Sequence, residues 1–215
     1  MGTIFLVRHG QASFGTANYD ALSDLGGEQA RITGEELRHR AAHVTHIVSG
    51  TMQRQRDTSL HSGYEPATDP RWNEYDFADV IHHHGEPDSG TAESHADRMS
   101  FQKLLDGALD RWIAAGRSSP CTETWDQFTE RVDSAFDELV RNSGSGVQSA
   151  AFTSGGVIAA IAAKLLGDRD RIFVPLHRVS CNAGITKLIN GRSGVSLVSY
   201  NEHGHVDGKR LFSYR

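Results

Sequence analysis

Apolar residues cluster along this chain with two periods, and the alternation between them predicts its elements. Ile4, Phe5, Leu6 and Val7 form an unbroken apolar run closed by Arg8, His9 and Gly10, the pattern of a strand buried in a sheet. A polar, glycine-bearing stretch follows from Gln11 to Asp20, and Ser23 is placed to cap a helix reaching about Ala41. Thr45 to Ser49 predicts a second strand and Met52 to His61 a second helix, the βαβα rhythm of a parallel sheet with right-handed crossovers. The stretch from Gly63 to Glu93 holds Pro66, Pro70 and Pro87 and reads as a loop laid over the sheet.

Helical spacing then returns. Phe101, Leu104, Leu105, Ala108, Leu109 and Trp112 share one face, as do Phe128, Val132, Ala135, Phe136 and Leu139, and both faces are expected in the core. Thr124 and Gln127 form a capping box for the second helix. Val147 to Thr153 predicts a third strand, Ser154-Gly155-Gly156 a turn, and Val157 to Leu166 a buried helix. Ala183 to Ile189 and Val195 to Tyr200 flank a Gly- and Asn-rich turn, which predicts an antiparallel hairpin at the sheet's edge. The sum is an α/β chain with a mostly parallel sheet, read as one domain over 1–215 with an insertion at roughly 63–120.

Bulk composition narrows the partners. With 215 residues, 38% hydrophobic and 23% charged, the chain supports a substantial core, and its formal charge of -5 argues against nucleic acid. Selectivity for an anion must come from local cations. The N-terminal apolar run is too short for a membrane span and lacks a secretory leader, so a soluble, cytoplasmic protein is expected. Cys121 and Cys181 lie far apart without metal or redox spacing and are expected as free thiols. His82-His83-His84 reads as solvated loop, because adjacent side chains seldom converge on one ion; no metal and no cofactor are expected.

The chemistry concentrates where strands end. A neutral imidazole at the carboxyl end of a strand can attack phosphorus, an adjacent guanidinium can clamp phosphoryl oxygens, and a glycine admits close backbone approach. Arg8-His9-Gly10 has this composition, although a histidine bonded to a loop carbonyl fits the triplet as well. Arg54 follows the second strand, and parallel neighbours deliver their carboxyl ends to one rim, so it is placed to share the pocket of His9. Glu74, between Trp72-Asn73 and Tyr75, sits where desolvation raises a carboxyl pKa and keeps it protonated as an acid. Any one of these also reads as an ordinary surface residue.

Together these pieces resemble the histidine phosphatase superfamily, in its phosphoglycerate mutase-like branch. The resemblance rests on Arg8-His9-Gly10, on Ser49 with Arg54 and Thr58, on Glu74, on Glu123-Thr124 ahead of Phe128 and Arg131-Val132, and on the late strand running into Gly-Gly. It implies a three-layer α/β/α sandwich in which His9 is phosphorylated, Arg8 and Arg54 bind the phosphoryl group, and Glu74 protonates the leaving oxygen. Water then hydrolyses the phosphohistidine without a metal. Gly10, Gln11, Ser154 and Gly155 complete the expected phosphate site, and a small phosphorylated metabolite is the expected substrate.

One position departs from the family pattern: the second histidine, before Gly-Gly, is Ser154 here. Losing a donor of this kind typically costs on the order of 10² to 10³ in rate. Ser154 with the Gly155 and Gly156 amides is expected to line the phosphate site still, with His177, His203 or His205 as candidate helpers.

Other readings stay open. A phosphate-binding module without turnover is one, and a serine hydrolase using Ser154 with Asp168 or Asp170 and His203 is another, although Phe152 breaks the Gly-x-Ser-x-Gly motif. A phosphotransferring mutase is a third, disfavoured because the adjacent arginine pair expected of glycolytic mutases is missing. The hairpin edge offers a surface for pairing with a second copy, so the chain is expected as a monomer or a homodimer.

Overall fold

The computed structural model describes residues 1–13, 20–41, 43–86, 98–209 and 211–214. Its strands are β1 (Gly2–Arg8), β2 (Val44–Ser49), β3 (Ala67–Thr68), β4 (Gln148–Thr153), β5 (Ile185–Gly191) and β6 (Gly194–Glu202). They form one sheet in the order β3-β2-β4-β1-β5-β6. β1 to β4 are mutually parallel where they pair, while β5 runs antiparallel to β1 and to β6.

The helices are α1 (Asp24–Arg40), α2 (Gln53–His61), α3 (Phe77–His84), α4 (Arg98–Ala115), α5 (Trp125–Asn142), α6 (Gly155–Leu165), α7 (Arg169–Val179) and α8 (Gly204–Asp207). The period-2 alternation of β1 divides them into two layers. Ile4 and Leu6 join the larger core with Trp112, Phe128, Val157 and Phe173, from α4, α5, α6 and α7. Phe5 and Val7 face the other way, onto Leu37 of α1 with Phe152 and Ile185. The architecture is therefore the expected three-layer sandwich.

Local sequence sets the helix starts. Ser23 accepts from the Gly26 amide at the start of α1. Thr124 and Gln127 make the reciprocal capping box of α5, whose apolar face from Trp125 to Leu139 is buried. No helix among the described residues is long and apolar enough to cross a membrane.

Two expectations need correction. The stretch read as loop from Gly63 contains β3, a 3₁₀ turn at Pro70–Trp72 and the helix α3; its residues 87–93, Pro87 included, lie outside the described ones. The Asp76 carboxylate accepts from the Ala78 and Asp79 amides and starts α3, and His82, His83 and His84 fall in its last turn, where the helix dipole favours partial positive charge. Helix α7 was not foreseen because Pro175 interrupts its pattern; Asp168 caps it through the Arg171 amide. On α4, Asp106 is buried and bonded to Gln102 and Arg178.

Candidate active site

Register puts three strand ends on one rim: Arg8 of β1 lies opposite Thr153 of β4, and Phe152 of β4 opposite Ser49 of β2. His9 continues from Arg8 and is 7% exposed. Its Nδ1 lies 2.8 Å from the Gly10 carbonyl oxygen, which can only accept, so Nδ1 carries the proton. The lone pair is left on Nε2, which accepts from Nε of Arg54 at 3.3 Å. Burial first, then the charges of Arg54 and Arg8, hold His9 well below the ordinary histidine pKa of 6.5. The ring is thus neutral at neutral pH, with its reactive nitrogen facing a cation.

The two arginines come from different elements. Arg8 ends β1 and donates through a terminal nitrogen to the Ser180 carbonyl at 2.5 Å, beside Gly155. A Cβ on Gly155 would lie 3.3 Å from Nε of Arg8, so the small residue leaves room for the guanidinium. Arg54 occupies the first turn of α2, where a terminal nitrogen donates to Asp20 at 2.5 Å.

Glu74 is brought in by its neighbours. The Tyr75 ring packs against Trp112 and Phe128 at 5.3 and 5.7 Å between centroids, anchoring the segment in the core. Arg131 of α5 donates to the carbonyls of Arg71 and Asn73 while holding Glu123 through two further bonds. Oε2 of Glu74 then accepts from the Gly156 amide at 2.9 Å. Burial raises the Glu74 pKa above its ordinary value, against the opposing pull of the Gly156 bond, Arg54 and Arg8. The charges of Arg8 and Arg54 thus act on both His9 and Glu74. On the side of Glu74 toward α3 and α4 a cavity of about 220 Å³ is lined by Tyr75, Asp76, Asp79, Val80, Trp112 and Thr122, with Glu123.

The glycine and serine positions differ from expectation in detail. The Gly10 amide donates to Thr58 Oγ1, and a Cβ there would fall 2.4 Å from the Gly26 carbonyl oxygen, so Gly10 serves the approach of α1 to the β1 end. Oε1 of Gln11 accepts from the Ser23 hydroxyl. The Gly156 amide, expected at the phosphate, is taken by Glu74. Ser154 is fully buried, and its hydroxyl accepts from Nε2 of Gln55 at 2.8 Å.

The candidate helpers have other partners. His203 lies against the Asn201 carbonyl, His205 against Thr33 and the Ala183 carbonyl, and His177 against Tyr75. Asp168 caps α7 and Asp170 accepts from the Trp125 indole, so the structure does not assemble a triad around Ser154. Among the described residues no group of three or more His, Cys, Asp or Glu is placed to hold a metal ion. Cys121 and Cys181 are free thiols, and burial pushes Cys181 up to about 11.

Two site residues escaped the sequence reading. Asp20 gave no signal, being one carboxylate in a polar stretch. Gln55 did leave a trace: Gln55, Thr58 and Ser59 share one face of α2 at helical spacing, and all three are fully buried. A polar stripe turned toward the sheet marks a face bonded to something.

Residues 4–203 match the family model described as the histidine phosphatase superfamily, branch 1. No curated protein matches the chain. Among solved structures, a mutant phosphoserine phosphatase from Entamoeba histolytica in complex with phosphoserine superposes with a TM-score of 0.68 at 18% identity, covering 96% of this chain and 100% of that one. The mycobacterial glucosyl-3-phosphoglycerate phosphatase gives 0.65 at 23% identity, over 95% and 100% of the two chains. Bacillus stearothermophilus YhfR gives 0.67 at 15% identity, over 95% and 98%.

Proposed function

The chain belongs to the histidine phosphatase superfamily, and from that premise we propose that it hydrolyses phosphoric monoesters of small molecules through a phosphohistidine at His9. The observation that carries this reading is the His9 ring: protonated on Nδ1, its lone pair on Nε2, and held neutral between Arg8 and Arg54. Nε2 attacks phosphorus and the P–O bond to the leaving alcohol breaks. Arg8 and Arg54 balance charge on the phosphoryl oxygens, where electrostatic stabilisation contributes most to such transfers. Glu74 gives its proton to the departing oxygen. In the second half, Glu74 takes a proton from water as it attacks phosphorus, the P–N bond breaks, and His9 is regenerated with inorganic phosphate.

The cavity beside Glu74 suits the leaving group. Its volume fits a small alcohol, and the carboxylates of Asp76, Asp79 and Glu123 at its wall disfavour a second phosphate, which supports hydrolysis of a monophosphate over transfer between bisphosphates. The phosphoserine and glucosyl-3-phosphoglycerate phosphatases among the structural neighbours belong to the same reaction class.

The second reading is a phosphate-binding module with little turnover. Ser154 in place of the usual histidine favours it, since a serine hydroxyl carries no positive charge. Hydrolysis of p-nitrophenyl phosphate, with His9→Ala as control, separates the two. The phosphatase reading expects turnover that the substitution abolishes; equal rates support the binding module.

A further inference from the structure

Asp20 joins two donors at the rim of the site, the Arg54 guanidinium and the Gln53 amide. Its Oδ1 accepts from a terminal nitrogen of Arg54 at 2.5 Å, and its Oδ2 accepts from the Gln53 amide, the first of helix α2, at 2.6 Å. An arginine fork and a helix N-terminal amide are the groups by which proteins hold phosphate. Here an internal carboxylate holds both. Arg54 also reaches Nε2 of His9 at 3.3 Å, so a phosphoryl group bonded to that nitrogen comes within reach of the guanidinium that Asp20 already engages.

Resting on the phosphatase reading above, we infer that Asp20 is a built-in competitor of phosphate for Arg54, lowering the site's affinity for its phosphate product. Both carboxylate oxygens are bonded, one to backbone, so releasing Arg54 to an anion works against a carboxylate held at a second point. The incoming phosphoryl group shares Arg54 with a fixed negative charge, and every bound anion feels that charge. With Arg8 and Arg54 both beside His9, an uncompensated pocket would hold inorganic phosphate tightly and release it slowly. Asp20 offsets one of the two positive charges. It touches Arg54 and not the reacting atoms, and so acts as a positioning and affinity-setting residue.

Calorimetric titration of the full-length protein with orthophosphate tests this. Asp20→Asn keeps an oxygen for the Gln53 amide and removes the charge; it is expected to bind orthophosphate on the order of 10-fold more tightly than wild type, the size expected for a partly exposed charge beside an arginine. Asp57→Asn removes the same charge from α2, where Asp57 accepts from Gln53 and not from Arg54, and is expected to change the affinity less than about twofold. Asp20→Ser, which retains a hydroxyl to accept from the helix amide, stands in if the asparagine variant does not fold, with the same expectation. In turnover, the Asp20 variants are expected to show lower KM and stronger product inhibition. Unchanged or weaker orthophosphate binding in them, or equal tightening in Asp57→Asn, overturns the inference while leaving the phosphatase reading intact. Absence of orthophosphate binding from wild-type protein and Asp20 variants alike overturns the inference, whereas absence of phosphomonoester turnover overturns the phosphatase reading on which it rests.

Discussion

Nε2 of Gln55 donates to the Ser154 hydroxyl oxygen across 2.8 Å, in full burial, and to the Trp72 carbonyl at 3.2 Å. With an acceptor role already filled on Oγ, the hydroxyl proton of Ser154 is left to donate. Gln55 thus fixes the orientation of the Ser154 hydroxyl. Ser154→Ala is expected to lower kcat/KM for a phosphomonoester about 10-fold and stability by about 1 kcal/mol, the loss of one bond of an amide that keeps its second acceptor. Steady-state kinetics and denaturant unfolding check the two numbers separately.

Glu74 and Gly156 are coupled sterically as well as by their hydrogen bond. A Cβ on Gly156 would fall 2.2 Å from Oε1 of Glu74 and 2.7 Å from the Tyr75 ring. Gly156→Ala is therefore expected to displace the carboxylate and to cost on the order of 10²-fold in kcat/KM for a poor leaving group. An activated leaving group such as p-nitrophenol, which departs without protonation, should lose much less in kcat/KM, which covers the steps up to release of the alcohol and not the later attack of water. Comparing alkyl and nitrophenyl phosphates on the variant separates a displaced acid from general damage.

The pH profile follows from the directions of two shifts. His9 must be neutral to attack, and burial with Arg54 and Arg8 holds its pKa well below 6.5, so the acid limb of kcat/KM lies below that value. Glu74 must be protonated, and burial holds its pKa above 4.5, so the rate falls as pH rises through that raised value. A bound phosphoryl dianion offsets the two arginines that oppose this shift, raising it further in the complex. The expected optimum is on the acid side of neutrality, and Glu74→Gln is expected to lose the alkaline limb together with on the order of 10²-fold in rate. A stability profile carries the same sign for His9: the unfolded chain binds a proton that the folded ring refuses, so its contribution falls as pH drops below about 6.5.

Arg131 supports Glu74 from a distance. It donates to the backbone carbonyls of Arg71 and Asn73 and forms a two-point pair with Glu123. Arg131→Ala leaves carbonyls and a carboxylate without their donor and is expected to cost about 2 to 3 kcal/mol, measurable by urea unfolding. Its effect on kcat should exceed that on orthophosphate affinity, since His9, Arg8 and Arg54 are held by other elements.

Much of this arrangement was legible because its signals are local. The β1 run ending in Arg8-His9-Gly10, the Thr124–Gln127 capping box and the hairpin around Gly191 and Gly194 each depend on neighbours in the chain. The α3 helix was hidden because prolines on either side of it read as loop, and its start depends on one side chain, Asp76. Asp20 was hidden for a different reason. Its partners Arg54 and Gln53 lie more than thirty positions away, and only the folding of α2 against the β1 end brings them together. The close approach of the α1 backbone to Gly10 was equally hidden, since Gly26 lies in another element.

The proposed phosphatase chemistry turns on a covalent bond between phosphorus and Nε2 of His9. Rapid acid-free quenching of the protein with a phosphomonoester, followed by phosphorus NMR of the denatured chain, reads it directly. The expected result is an acid-labile, base-stable phosphorus signal at His9, absent from His9→Ala and accumulating in Glu74→Gln, where the hydrolysis step loses its base. Turnover by wild-type protein with no phosphohistidine at His9, or turnover retained by His9→Ala, contradicts the account.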